Sequence, residues 1–212
     1  MRQRKLRNLE EKLQEKSAMI VSDPASLKGN WRKDPDAPLY VEIGCGKGRF
    51  VTDLARRHPD WELVAFEGNE SVAYHAMQKA EAAGCGNIRF VLGYVRDIRD
   101  FFDKNEADGI FMNFSDPWPK ARHAKRRLTA GRHLQEYADV IRPGGTIEFK
   151  TDNDSLFEFT EREFRRQDGM AVDYLTYDLH RDVPAEDIIM TEYEEKFSSQ
   201  GKNINYIRVK IL

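Results

Sequence analysis

Cysteine is nearly absent from this chain, with Cys45 and Cys85 the only 2 among 212 residues. They cannot build a disulfide framework, and their spacing is not that of a metal site. The five histidines, His58, His75, His123, His133 and His180, are scattered and show no paired ligand spacing, so no metal is expected. No apolar run is long enough to span a bilayer. The N-terminus is basic at Arg2, Arg4, Lys5 and Arg7 but has no apolar signal-peptide run, so a cytoplasmic protein without a membrane partner is expected. An excess of one charge is also missing. Lys plus Arg total 34 against 36 for Asp plus Glu, a net charge of −2. Any nucleic-acid binding must therefore rest on local clusters of cations.

What is present suits one large domain better than two, with 40% apolar residues to fill a core. Residues 1–38 are polar and helix-prone and read as a basic surface extension. From Leu39 onward, short apolar runs alternate with helical patterns. Strands are expected at Leu39–Ile43, Leu63–Glu67, Ile88–Leu92, Gly109–Phe114, Thr146–Thr151, Tyr174–Tyr177 and Asn205–Ile211. Amphipathic stretches follow the first two strands, and another precedes the helix stop at Pro143-Gly144-Gly145. A further one, around Leu156, Phe159 and Phe164, follows the fifth strand. Such alternation predicts an α/β fold with a mostly parallel sheet and helices on both faces. The last two strands, joined by a short helix-poor connection, would form an antiparallel pair at the sheet edge.

A glycine turn, Gly44-Cys45-Gly46-Lys47-Gly48, follows the first strand directly. Gly44, Gly46 and Gly48 allow a sharp turn and close approach of a ligand to the backbone. The spacing G-x-G-x-G differs from the dinucleotide fingerprint, and a plain βα loop would also explain it. Glu67 ends the second strand about 20 residues later, where nucleoside-binding sheets place a ribose-hydroxyl acceptor. Glu42, just before the turn, could attract a cationic ligand group or pair with a local base. Together these features fit S-adenosylmethionine, a sulfonium cation carrying adenosine. This half of the chain looks like a class I methyltransferase, in which the region after the third strand, here around Tyr94, flanks the adenine.

The fourth strand ends in Asn113-Phe114-Ser115-Asp116-Pro117-Trp118-Pro119-Lys120. Arg122, His123, Lys125, Arg126 and Arg127 follow, with no acid among them. A carboxylate and an aromatic at a strand's carboxyl end, bordered by phosphate-seeking cations, suggest an enzyme acting on a nucleic-acid base. Each feature has a plainer reading. Asp116 could cap a turn, Trp118 could be core, and the basic run could be a solvated face.

The full string resembles the bacterial tRNA (guanine-N7-)-methyltransferase family. Three more segments carry that resemblance: Glu42 to Gly48, Phe149-Lys150-Thr151-Asp152-Asn153, and Thr191-Glu192-Tyr193-Glu194-Glu195-Lys196-Phe197. It runs from about Glu42 to the C-terminus. It implies a Rossmann-like sheet of seven strands with an antiparallel edge strand, residues 39–212 forming the catalytic domain. It also implies methyl transfer from S-adenosylmethionine to guanine N7 in the variable loop of tRNA, releasing S-adenosylhomocysteine.

By the same resemblance Asp116 is the catalytic or positioning residue. Glu42, Gly44, Gly46, Gly48, Glu67, Tyr94 and Asp116 would meet the cofactor. Lys120, Asp152, Thr191, Glu192, Tyr193 and Glu194 would meet the substrate, and Arg122, His123, Lys125, Arg126 and Arg127 the RNA. Where the family has an acid near the end of the third strand, this chain has Tyr94, and Asp97 is the nearby substitute. Asp152-Asn153 could equally cap a helix. Thr191–Glu195 could be a solvated acidic edge. A monomer and a homodimer both fit. Two other functions compete: a class I methyltransferase acting on an exocyclic amine or small molecule, and a non-catalytic RNA-binding module.

Overall fold

The computed structural model describes residues 6–212; Arg2, Arg4 and Lys5 lie outside the described residues. The chain order is α1 (Leu9–Glu15), β1 (Leu39–Ile43), α2 (Arg49–Arg57), β2 (Glu62–Glu67), α3 (Glu70–Ala82), β3 (Ile88–Leu92) and β4 (Ala107–Asn113). It continues with α4 (Gly131–Val140), β5 (Ile141–Thr151), α5 (Asp154–Arg165), β6 (Met170–Thr176), α6 (Leu179–Asp182), α7 (Glu192–Ser198) and β7 (Asn205–Ile211). The strands form a sheet in the order β3-β2-β1-β4-β5-β7-β6. The five from β3 to β5 are parallel, as expected.

Side chains alternate across the sheet, so β1 serves two cores. Leu39, Val41 and Ile43 point into one, with Trp31, Ile110, Met112 and Phe149. Tyr40 points into the other, with Phe50, Leu54, Phe90 and Phe111. Helix starts are set by local chemistry. Asn69 caps α3 by accepting from the amides of Ser71 and Val72, and Asn153 caps α5 by accepting from Leu156.

The antiparallel pair at the edge is present, but its arrangement differs from the expectation. β7 is the reversed strand and lies one place inside the edge, between β5 and β6, with β6 outermost. The connection from β6 to β7 is not short and helix-poor. It carries α6 and α7, helices of 4 and 7 residues that hold too few periodic positions to show in sequence.

Pro143-Gly144-Gly145 interrupts β5 without ending it. Ile141 pairs with Ala107 and Thr146 with Gly109, so the intervening residues bulge opposite Asp108. The Asp108 carboxylate accepts from Arg142 at 2.5 Å and from Arg32 at 2.8 Å, which pins the bulge.

The segment before β1 is packed down onto the sheet. Trp31 is fully buried and stacked on Phe102 at 5.2 Å. Ile20 makes a bridge to Phe90 beside β3. Among the described residues, no helix is long and apolar enough to cross a membrane.

Candidate active site

The carboxyl ends of β1 to β4 open into a pocket of about 450 Å³. Gly44, Glu67, Tyr94 and Asp116 all line it, so residues read from four separate strand ends converge as expected. Asn113, Phe114 and Trp118 complete its lining on the β4 side.

Of the glycine turn, Gly44 lines this space, while Gly46 and Gly48 lie beside it. Gly44, Gly46 and Gly48 have φ of +82°, +58° and +79°, a region that disfavours side chains. A Cβ on Gly44 or Gly46 would meet nothing within 4 Å, leaving room for a ligand. A Cβ on Gly48 would sit 2.6 Å from the Ala76 Cβ, so that glycine serves the contact of α2 with α3.

The Glu67 carboxylate is held by two backbone amides, accepting from Gly46 at 3.0 Å and Asn69 at 2.8 Å. It is thereby fixed at the end of β2. Tyr94 is 78% exposed, and its ring lies over Gly68, where a Cβ would come within 2.3 Å of it. Asp97 does not line the pocket. Its carboxylate binds Arg99 and caps a 3-10 turn, so it does not stand in for an acid at the Tyr94 position.

Glu42 is buried behind the pocket. One oxygen accepts from the Asn113 side chain at 2.9 Å, and the other has no partner. Burial pushes its carboxyl up to about 7, opposed by the Asn113 hydrogen bond and the positive charge of Lys150. An orphaned carboxylate oxygen behind a pocket wall is suited to a cationic ligand group.

The turn after β4, from Phe114 to Trp118, is strained and clamped. Phe114 and Trp118 have φ of +53° and +41°, which is costly for aromatic residues. The exposed Asp116 lies between them. The Arg127 guanidinium donates to the carbonyls of Pro117 at 3.0 Å and Trp118 at 3.1 Å, and it stacks on Phe159. Arg126 lies over the Trp118 ring at 5.0 Å and also lines the pocket. Arg127 therefore braces the turn, while Arg126, Arg122, Lys125 and Lys120 are exposed. His123 packs edge-on against Trp118.

The C-terminal residues divide between two roles. Thr191 and Glu194 form a capping box on α7, and Glu194 is completely buried. Glu192 forms an ion pair with Lys79. Of this segment Tyr193 is nearest the pocket residues, its ring 5.0 Å from Phe114 and its hydroxyl directed at Asp152. Asp152 also accepts from Lys202 at 2.7 Å. The capping role was readable from the Thr-x-x-Glu spacing. Asn113 and Lys150, both central here, fall inside two of the motif segments read from sequence, but nothing in those segments assigned either residue a role.

Comparison with known proteins agrees with this geometry. Residues 36–207 match a family model described as "Putative methyltransferase". The tRNA (guanine-N(7)-)-methyltransferase of Exiguobacterium sibiricum is 43% identical over 194 residues, covering 91% of this chain and 90% of that protein. That of Lactococcus lactis subsp. cremoris is 40% identical over 215 residues, covering 100% and 99%. The fold is shared with solved structures at lower identity. The 16S rRNA methyltransferase KamB gives a TM-score of 0.61 at 14% identity, covering 88% of this chain and 91% of that one. TrmN from Thermus thermophilus gives 0.59 at 18% identity, covering 84% of this chain and 45% of that one.

Proposed function

This chain belongs to the tRNA (guanine-N7-)-methyltransferase family, and from that premise we propose that it moves a methyl group from S-adenosylmethionine to N7 of a variable-loop guanine in tRNA. The observation that carries the reading is the single pocket in which Gly44, Glu67 and Tyr94 meet Asp116 at the foot of an exposed basic turn.

The residues fit the cofactor. Glu67, already fixed by two amides, keeps lone pairs for a pair of ribose hydroxyls. Ile43, Val95 and Leu128 supply apolar walls for a ring, and Tyr94 an exposed aromatic face. Glu42, through its free oxygen and Asn113, complements positive charge. When bound, S-adenosylmethionine supplies an electrophilic methyl group on a cationic sulfur.

Guanine N7 already carries a lone pair, so the protein needs no strong base to create a nucleophile. Its task is alignment of N7 with the methyl carbon. Asp116, held in a turn that cannot relax while Arg127 spans its carbonyls, supplies negative charge where the purine becomes positive. A carboxylate can also accept from the guanine N1–H and amino group, and adenine would leave it unpaired. Lys120, Arg122, Lys125 and Arg126 present cations to the RNA backbone. Tyr193 and Asp152 border the acceptor side. The protein works in the cytoplasm, where its substrate is.

Incubation with methyl-labelled S-adenosylmethionine and unmodified tRNA transcripts, followed by nucleoside analysis, tests the reading. 7-Methylguanosine at one variable-loop guanine, lost when that guanine is replaced, is expected. A different labelled nucleoside, or no label, would overturn it.

A further inference from the structure

Lys150 is a buried cation among the described residues, with 5% of its surface exposed, and its side chain does not itself line the pocket. Its side chain reaches α7, donating to Glu194 at 2.9 Å and to the Ile189 carbonyl at 2.7 Å. Its own carbonyl accepts from the Phe114 amide at 2.8 Å, at the first residue of the strained acceptor turn. The Phe114 ring in turn packs against Tyr193, the residue next to Glu194 on α7, with the two rings tilted by 42°. The contacts therefore close on themselves: Lys150 backbone to Phe114, Phe114 ring to Tyr193, α7 to Glu194, and Glu194 back to the Lys150 ammonium. On its other side the ammonium's charge acts on Glu42, which holds Asn113 in the cofactor pocket.

We propose that Lys150 is a positioning residue for methyl transfer, fixing the Asp116 turn relative to α7 and tying the acceptor half of the site to the cofactor half. The proposal rests on the reading of the pocket as a methyltransferase site. Three features separate this role from ordinary core stabilisation. The ion pair is between two buried groups, an arrangement whose net contribution to stability is small when both charges are removed together. Both of its ends lead to residues of the pocket. A turn with two aromatic residues at positive φ needs surrounding structure to hold it. Glu194 accordingly acts inside the protein, as the partner of Lys150 and the cap of α7. His180 stands 3.1 Å from its other oxygen, without the alignment of a hydrogen bond.

The test uses the full chain. Lys150→Met alone strands a buried carboxylate and is expected to unfold readily. The decisive variant is therefore Lys150→Met/Glu194→Gln, which removes both charges. Its Tm is expected near that of the parent, with KM for S-adenosylmethionine changed less than threefold and kcat lowered by about 10²-fold. Phe114 amide exchange is expected to accelerate. In a Tyr193→Leu background the same double change should lower kcat little further, because the ring contact that closes the circuit is already gone. Parent-like kcat in the double variant, or losses that simply multiply with Tyr193→Leu, would overturn the positioning role. A parent protein that makes no 7-methylguanosine would instead refute the function. The amide-exchange readout still decides whether Lys150 holds the turn.

Discussion

Glu42 and Asn113 meet at 2.9 Å across neighbouring strands, and that hydrogen bond links a buried carboxyl to the wall of the pocket. Glu42 itself is almost wholly shielded from solvent. Its second oxygen has no partner, and burial raises its carboxyl from an ordinary 4.5 to about 7.

The sign of the pH effect follows. A carboxyl raised in the folded state stabilises the fold relative to the unfolded chain at low pH, and the advantage is lost as pH climbs from about 4.5 through 7. Glu42→Gln should therefore match the parent in stability at about pH 4, below the unfolded value. By pH 8 it should exceed the parent by up to about 3 kcal/mol without ligand. Cofactor affinity should move the opposite way. In the parent it should strengthen as Glu42 ionises through pH 7, whereas in Glu42→Gln it should be weaker and flat with pH. Thermal melts and titration calorimetry over about pH 4–8 measure both. Parallel pH curves for the two proteins would refute the link.

Asp116 makes no hydrogen bond or ion pair with any described side chain and is exposed. Its removal therefore leaves no buried group unpaired. Asp116→Ala should keep Tm within about 2 °C of the parent and still bind S-adenosylmethionine measurably. Its kcat should fall by about 10²-fold or more. Turnover near the parent value would remove Asp116 from its central place.

The adjacent arginines should behave differently, although they are neighbours in one basic run. Arg126→Glu should raise the KM for tRNA and reduce the salt dependence of binding by about one unit of slope for each phosphate it no longer neutralises. Arg127→Glu removes two hydrogen bonds from the turn carbonyls. It should lower Tm, and it should lower kcat even at saturating tRNA. Identical behaviour of the two variants, read by steady-state kinetics at several salt concentrations, would contradict the division.

Most of the strands, the glycine turn and the Asp116 turn were legible because each is a local pattern. Period-2 apolar runs, glycines after a strand, and a rigid Pro-Trp-Pro all act over a few residues. Glu67 and Tyr94 were legible for a related reason, since strand ends in a parallel sheet share one edge. What local pattern cannot show is pairing at long range. Trp31 lies in a polar stretch, yet it stacks on Phe102 and is shielded from solvent entirely. Lys150 finds Glu194 44 residues on. Placing β7 inside β6 depends on sheet-wide packing that no single strand encodes. The double duty of Thr191–Glu194 was partly visible: Thr-x-x-Glu is a capping signature, and it accounts for Thr191 and Glu194 without any ligand.

Gly46 and Gly48 belong to one turn but answer to different neighbours. Ala at either position must adopt positive φ, at a cost of about 1–2 kcal/mol. Only at Gly48 does the new methyl collide with another helix, 2.6 Å from the Ala76 Cβ. Gly48→Ala should therefore be the more destabilising of the two. The second change Ala76→Gly should recover part of its loss, by relieving the collision but not the backbone strain. Gly46→Ala should keep more stability yet lose cofactor affinity, since its methyl enters the open space beside Glu67. Denaturant midpoints and cofactor titrations on these variants and the parent measure this. Equal stability losses at the two glycines, or recovery of Gly46→Ala by Ala76→Gly, would show that the turn does not divide its glycines between helix packing and ligand approach.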